Sequence, residues 1–221
     1  MKVMVVAAHM DDEVLGCGGA LARHTAAGDE TKVLYVCSRA YFNEVREEWI
    51  KREEQCAANA LRVLGVKDHE FLQLRDEQLD HKVIDVVKPI EERIIAFQPD
   101  VLYVNHRGDN NQDHRAVFNA VMIATRTMAD WVPARILAYE VLSSTEQSPK
   151  FPEYAFLPTV YADISAQLET KIAAFREYAY EMHPFPHPRS TEGIRALAQY
   201  RGMACNTTAA EAFVLVREIN R

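Results

Sequence analysis

The stretch KVMVVAAHMDDE, residues 2–13, places an unbroken apolar run rich in valine directly before a histidine and three acids. Such a run is typical of a strand buried on both faces, as in a parallel sheet. Residues 14–27 follow with the apolar spacing of a helix and end at Gly28, a common helix terminator. The stretch therefore predicts the first strand and helix of an α/β fold.

The alternation of strand and helix continues along the chain. The predicted strands lie at residues 32–37, 70–74, 101–104 and 135–141, and the predicted helices at about 44–64, 80–97 and 113–129. Because parallel strands need helical crossovers, the pattern predicts a Rossmann-like, doubly wound, mostly parallel sheet with core order 3-2-1-4-5. One domain is expected over residues 1–221, with a core to about residue 145. The remainder, including a helix near 164–181 and the apolar stretch AEAFVLV, is expected to form a cap.

The composition is that of an ordinary globular protein. Of 221 residues, 48% are hydrophobic and 26% are charged, and the formal net charge is -7. Nucleic acids are bound by clustered Lys and Arg, so no nucleic-acid partner is expected. No apolar stretch approaches membrane-spanning length, and the N-terminal run meets acids instead of a cleavage site. We therefore expect a cytoplasmic protein without a membrane span. The sequence leaves open whether it forms a homo-oligomer.

The cysteines and glycines carry weaker signals. Cys17, Cys37, Cys56 and Cys205 lie far apart without C-x-x-C spacing, so they suggest neither a disulfide framework nor a thiolate zinc site. The glycine-rich segment at residues 16–19 does not complete the dinucleotide-binding pattern G-x-G-x-x-G, and the acids before it would repel a pyrophosphate. Tight helix packing is the favoured interpretation of these glycines.

Two polar loops follow predicted strands that neighbour each other in the sheet. One is residues 9–13 (HMDDE), and the other is residues 105–114 (NHRGDNNQDH). Ligands of open parallel sheets bind at the carboxyl ends of the strands, where the strand order reverses. His9, Asp12 and His114 would supply two imidazoles and one carboxylate, a set suited to catalytic Zn²⁺. Fe²⁺ also binds two His and one carboxylate.

The adjacent acids Asp11 and Asp12 can do different work because neighbouring side chains diverge. If Asp12 ligates the metal, Asp11 can act as general base toward water, the division of labour that amide hydrolysis requires. Taken singly, the acids of the first loop and Asp113 would be read as helix caps. The pairing of the two loops favours a metal site.

The segment AHMDDE resembles the A-H-P-D-D-E signature of the LmbE-like, or PIG-L, family of N-acetylglucosaminyl deacetylases, and DHRAV at residues 113–117 resembles its metal-ligating segment. Softer matches are LRDEQL at 74–79, HPRS at 187–190, YRG at 200–202 and AEAF at 210–213. The resemblance implies a Rossmann-like fold and zinc held by His9, Asp12 and His114. It also implies Asp11 as general base in removing acetate from an N-acetylated sugar or glycoconjugate.

Two residues depart from the family pattern. Met10 replaces the usual proline, which removes no reacting group. Asn111 stands where the family often has a histidine thought to aid the oxyanion or the leaving group. An amide can donate to an oxyanion but cannot deliver a proton, so the leaving amine is expected to receive it from protonated Asp11, His106 or His187. Asp113, beside His114, is predicted to orient a ring nitrogen.

The sequence signals for substrate contacts and for alternative functions are less specific than those for the metal site. The residues expected to contact substrate are His106, Asp109, Ser144, His187 and Arg189. One alternative is an amidase that cleaves a larger acyl or thiol conjugate, because the same site geometry serves any accessible amide. The other alternative is a non-catalytic sugar- or nucleotide-binding domain, which the presence of Asn111 would suit.

Overall fold

The structure is a computed structural model that describes residues 1–38 and 47–220. Its strands are β1 (Lys2–Ala7), β2 (Glu30–Ser38), β3 (Asp68–Arg75), β4 (Val101–Asn105), β5 (Arg135–Tyr139), β6 (Val160–Asp163) and β7 (Ala210–Glu218). The α-helices within this part of the chain are α1 (Asp12–Ala26), α2 (Glu47–Leu64), α3 (Val83–Phe97), α4 (Gln112–Ala124), α5 (Leu168–Arg176) and α6 (Thr191–Met203). The predicted start of the second helix near residue 44 lies outside the described residues.

The seven strands form one sheet in the order β3-β2-β1-β4-β5-β7-β6. The first five are parallel, which confirms the predicted Rossmann-like class and the core order 3-2-1-4-5. β7 runs antiparallel to both β5 and β6. The strand order reverses between β1 and β4, so the loops that follow these two strands meet at one edge of the sheet.

Alternate residues of β1 enter different hydrophobic cores. Val3 and Val5 pack with the core that contains α1, α2 and α5, while Met4 and Val6 pack with the core that contains α3 and α4. All four side chains are fully buried. The period of two in a strand explains why the N-terminal run is apolar throughout: both of its faces are covered by helices.

Helix α1 packs closely against the sheet because glycines line one side of it. A Cβ atom on Gly16 would lie 2.1 Å from the Tyr139 ring, and one on Gly19 would lie 2.7 Å from Ile164. The helix is kinked at Cys17, whose φ and ψ are -145° and 21°. The prediction that these glycines serve tight packing is confirmed.

Four elements differ from the sequence predictions. β6 and β7 extend the sheet, whereas the sequence predicted cap elements beyond residue 146. The fourth helix ends at Ala124 instead of 129, because Thr125 leaves helical φ and ψ and its hydroxyl bonds to the Val121 carbonyl at 2.8 Å. Helix α5 covers only part of the predicted 164–181.

Among the described residues, none of the helices combines the length and apolar character that crossing a membrane requires.

Candidate active site

Three potential metal ligands converge where the loops after β1 and β4 meet. His9 Nδ1 lies 3.2 Å from His114 Nε2, and the Asp12 Oδ2 atom lies 3.7 Å from the first nitrogen and 3.3 Å from the second. Two ligands of one tetrahedral zinc ion at 2.0–2.1 Å are about 3.4 Å apart. The spacing and the chemistry of these three donors therefore fit a metal ion of that size.

The Asp12 carboxylate is oriented by groups that the sequence interpretation did not identify. The Asn105 side chain donates to Asp12 Oδ2 at 3.1 Å and accepts a hydrogen bond from the Ala8 backbone at 3.0 Å. The Tyr139 hydroxyl also donates a hydrogen bond to Asn105 Oδ1 at 3.1 Å. Asn105 is fully buried at the end of β4, and its position directly after an apolar strand was the available signal.

A carboxylate lies beside the second ring nitrogen of each imidazole, the one that does not face the other potential ligands. Asp113 Oδ2 lies 3.2 Å from His9 Nε2, and Asp109 Oδ1 lies 3.2 Å from His114 Nδ1. The expected orienting role of Asp113 therefore falls on the ring of His9, and Asp109 occupies the corresponding place beside His114. Such pairs select the tautomer and the direction of the opposite nitrogen.

The surrounding carboxylates control the charge of the two rings. Burial lowers the pKa of His114, but Asp12 and Asp109 outweigh it and raise that pKa to about 9. Burial likewise opposes ionisation of His9, while hydrogen bonds to Asp113 and Asp12 raise its pKa well above the ordinary value. The carboxylates therefore favour the protonated form of the rings, and binding of a metal to their nitrogens would be coupled to release of protons.

Asp11 points away from Asp12, toward a cavity of about 400 Å³. Its backbone has φ of 119°, a left-handed conformation that costs a non-glycine residue free energy and is concentrated at functional sites. Its Oδ2 atom accepts a hydrogen bond at 2.9 Å from Arg189, whose guanidinium also pairs with Glu181 and donates to Ser143 Oγ at 2.6 Å. The two adjacent acids thus face different partners.

Glu13 supports the unusual backbone of Asp11. Its Oε2 accepts the Asp11 N–H at 3.1 Å, and its Oε1 accepts the Tyr178 hydroxyl at 2.7 Å. The side chain is fully buried, and this burial raises the pKa of Glu13 to about 8. The carboxyl is therefore mostly protonated at neutral pH. Sequence reasoning read it only as part of an acidic helix start.

Hydrogen bonds of polar side chains fix the conformation of the loop after β4. Asn111 caps α4, with its Oδ1 accepting the Asp113 N–H at 2.8 Å. Asp109 accepts hydrogen bonds from the hydroxyls of Ser144 and Thr145 and from the Asn111 N–H. Both carboxylate oxygens of Asp109 thus accept hydrogen bonds from protein donors, and the contacts of Asp109 and Ser144 with substrate stay predictions.

The cavity brings together most of the predicted site. The predicted residues that line it are His9, Asp11, Asn111, Asp113, His114, Ser144 and Arg189. Ser143 also lines it, and the sequence-based prediction missed the lining residues Asp76, Glu77, Gln112 and Glu181. His106 instead bonds the Tyr154 carbonyl at 3.3 Å and packs edge-on against Phe156. His187 accepts the Arg189 N–H at 3.1 Å, so its described contact orients the loop that carries this arginine.

The fold and the site together define a Rossmann-like α/β protein with a possible His/Asp metal site at the topological switch point. Residues 4–125 match the family model described as PIG-L, GlcNAc-PI de-N-acetylase. The chain is also 30% identical over 182 residues to an uncharacterized deacetylase, YaiS, of Escherichia coli (strain K12), covering 80% of this chain and 89% of that protein. The chain belongs to the PIG-L family.

Solved structures share this fold over nearly the whole chain. The conserved protein TT1542 of Thermus thermophilus is 25% identical with a TM-score of 0.77, over 99% of this chain and 96% of that one. The N,N'-diacetylchitobiose deacetylase of Pyrococcus horikoshii is 20% identical with a TM-score of 0.78, over 97% and 83% respectively. Membership of this deacetylase family supports hydrolase activity.

Proposed function

We propose that this protein hydrolyses the N-acetyl group of an amino sugar or sugar conjugate. In this proposal His9, Asp12 and His114 hold a zinc ion and Asp11 is the general base. The observation that carries it is the spacing of 3.2–3.7 Å among the three donor atoms beside the cavity that Asp11 lines. Membership of a deacetylase family gives independent support.

The donor set suits zinc, because neutral imidazole nitrogens and a carboxylate oxygen are its ordinary protein ligands. Fe²⁺ accepts the same set and is the alternative metal. When bound, zinc supplies Lewis-acid polarisation of the acetamide carbonyl and lowers the pKa of water from about 15.7 to about 7. Asp113 and Asp109 keep the metal-facing nitrogens of the two rings in place.

Asp11 moves the proton in this mechanism. Its carboxylate takes a proton from the attacking water and returns it to the departing amine nitrogen, so one group acts as base and then as acid. Arg189 holds Asp11 Oδ2 by a hydrogen bond of 2.9 Å and thereby limits its orientation. With the Oδ1 of Asn111 engaged by the Asp113 N–H, its NH₂ end remains to donate to the carbonyl oxygen of the substrate.

The cavity favours a polar substrate. Its volume of about 400 Å³ accommodates a sugar ring, and Asp76 and Glu77 offer carboxylates on its wall that can accept hydrogen bonds from hydroxyl groups. A structural relative is named for the N-acetylated disaccharide N,N'-diacetylchitobiose. We infer an N-acetylated sugar or glycoconjugate as the substrate class of this chain.

The test of the proposal is Asp11→Asn, which keeps the shape of the side chain and removes its basicity. We expect acetate release from a panel of N-acetylated sugars to fall by at least about 100-fold, because general bases contribute about 10²–10⁴. Zinc content, measured by plasma mass spectrometry, should stay at the wild-type level. Asp80→Asn, at an exposed position, is the matched control. Undiminished acetate release by Asp11→Asn would refute the assigned base.

A further inference from the structure

Cys37 lies beside the proposed zinc site but takes no part in the proposed hydrolysis. The residue stands near the end of β2, and its N–H donates to the Ala8 carbonyl at 2.8 Å, which fixes it next to the first catalytic loop. A ring nitrogen of His9, the Cys37 sulfur and a carboxylate oxygen of Asp113 all lie within 4.8 Å of one another. These three groups form a second cluster of potential metal ligands.

One carboxylate oxygen of Asp113 has no hydrogen-bond partner among the described residues. Its Oδ2 accepts the Glu77 N–H at 2.9 Å and lies 3.2 Å from His9 Nε2. Its Oδ1 is buried and makes no hydrogen bond within residues 1–38 and 47–220, although the residue is only 2% exposed. A buried polar atom left without a partner costs about 1–3 kcal/mol, so an additional ligand at this carboxylate would be stabilising.

The second cluster uses the opposite edge of the His9 ring. His9 Nδ1 faces His114 and Asp12, whereas Nε2 faces Asp113. Asp113 therefore approaches a different ring nitrogen of His9 from the one that faces His114 and Asp12. His9 and Asp113 also line the cavity, which gives an ion a route to the cluster from solvent.

We propose that His9, Cys37 and Asp113 form a second metal site, specific for thiophilic divalent ions such as zinc in excess or cadmium. With both ions bound, Cys37 binds as the thiolate and His9 bridges the ions as an imidazolate, so one proton from each is released to solvent, and water completes the fourth position. Sulfur, imidazole and carboxylate donors suit these ions, and a thiolate disfavours magnesium and calcium. Because the second ion replaces the Asp113 contact that orients the His9 ring beside the first ion, its binding inhibits the enzyme.

Cadmium alone is the probe, because thiolate coordination to cadmium has an ultraviolet charge-transfer band. The parent protein carries Cys56→Ser and Cys205→Ser, which removes the two partly exposed thiols, and is first loaded with one equivalent of zinc. Cadmium should then add about one further equivalent per chain and produce the band. With Cys37→Ser in this parent, the band should vanish while the first equivalent of zinc remains bound.

Two further variants separate the site from a folding defect. Cys17→Ser also replaces a buried thiol, but one outside the cluster, and it should keep the band. Asp113→Asn keeps the thiol but replaces a proposed carboxylate ligand, so it should weaken cadmium binding at least about tenfold. If circular dichroism shows that Cys37→Ser is unfolded, the cadmium affinity of Asp113→Asn tests the site instead.

No band in the parent, an unchanged band in Cys37→Ser, or unchanged affinity in Asp113→Asn would overturn the proposal. These binding readouts need no substrate, so they remain decisive even if the deacetylase proposal fails.

Discussion

At the scale of single residues, Arg189 links the proposed base to the cavity wall through its contacts with Asp11 and Glu181. Replacing it by methionine removes a charge-assisted hydrogen bond worth about 1.5–3 kcal/mol. We expect Arg189→Met to lower kcat by about 10- to 100-fold with zinc content unchanged. Steady-state kinetics on N-acetylated sugars would measure this loss.

The same experiment separates two roles of Arg189. The sequence predicts a substrate contact, and removal of such a contact alone raises KM and leaves kcat near the wild-type value. The hydrogen bond to Asp11 predicts the opposite pattern. Arg195→Met, which removes an exposed pair with Glu169, is the control and should change neither constant.

Glu13 makes stability depend on pH because its pKa rises from 4.5 to about 8 on folding. Between these values the folded protein holds a proton that the unfolded chain releases, so stability falls as pH increases through this window. Below pH 4.5 both states are protonated and the effect vanishes. We expect wild type to lose on the order of a few kcal/mol relative to Glu13→Gln from about pH 5 to pH 8.

Urea unfolding at a series of pH values would measure the Glu13 effect. Glu153→Gln, at an exposed position, serves as the control and should follow the pH dependence of the wild type. Parallel stability curves for wild type and Glu13→Gln would mean that the buried carboxyl is not protonated in the folded protein.

The site residues that the sequence predicted best are those that lie in a short motif after an apolar strand. His9, Asp12 and His114 follow apolar strands, and strand adjacency brings them within one coordination sphere. The roles of Asn105 and Glu181 were not predicted because they depend on tertiary packing and not on spacing. Asp109 illustrates the same limit: its partners Ser144 and Thr145 come from the loop after the neighbouring strand β5.

At the scale of elements, the kink in α1 depends on a buried ion pair from distant parts of the chain. Glu211 of β7 accepts the Gly19 and Ala20 N–H groups at 2.9 and 2.7 Å, just beyond the kink. It also pairs with buried Lys171 of α5 at 2.6 Å. The carboxylate thus caps the second part of the helix and neutralises the lysine.

Glu211→Ala should therefore destabilise the protein strongly. It leaves Lys171 charged and buried without its partner, a change that costs about 3–5 kcal/mol. The urea midpoint would measure the loss, with Glu192→Ala on exposed helix surface as the control. A midpoint within error of wild type would show that the pair does not hold α1 in its kinked form.

Strands were predicted well where burial on both faces requires a continuous run of apolar residues, and poorly where it does not. β1, β2 and β4 are short apolar runs buried on both faces, and their positions in the sheet follow from right-handed crossovers. β6 has four partly exposed residues at the sheet edge, so it carries no distinctive pattern. The apolar stretch of β7 was recognised, but its antiparallel pairing depends on a long connection that spacing does not specify.

At the scale of the whole molecule, the site exists because the strand order reverses between β1 and β4. The loop after β1 carries His9 and Asp12, and the start of α4 carries His114 about a hundred residues later in the chain. Only the folded sheet brings these ligands together, so the unfolded chain has no comparable site. Metal binding at the proposed site would therefore be coupled to global folding.

This coupling predicts that zinc raises the melting temperature. A ligand present at 100 times its Kd stabilises the folded state by about 2.7 kcal/mol, which for a chain of this size corresponds to about 5–10 °C. Differential scanning calorimetry should record this rise in wild type and its reversal by a chelator. His114→Ala should lose most of the rise, whereas His81→Ala, at an exposed position, should keep it. An equal rise in His114→Ala would place the stabilising ion elsewhere, since that variant lacks one of the three ligands that join the two loops.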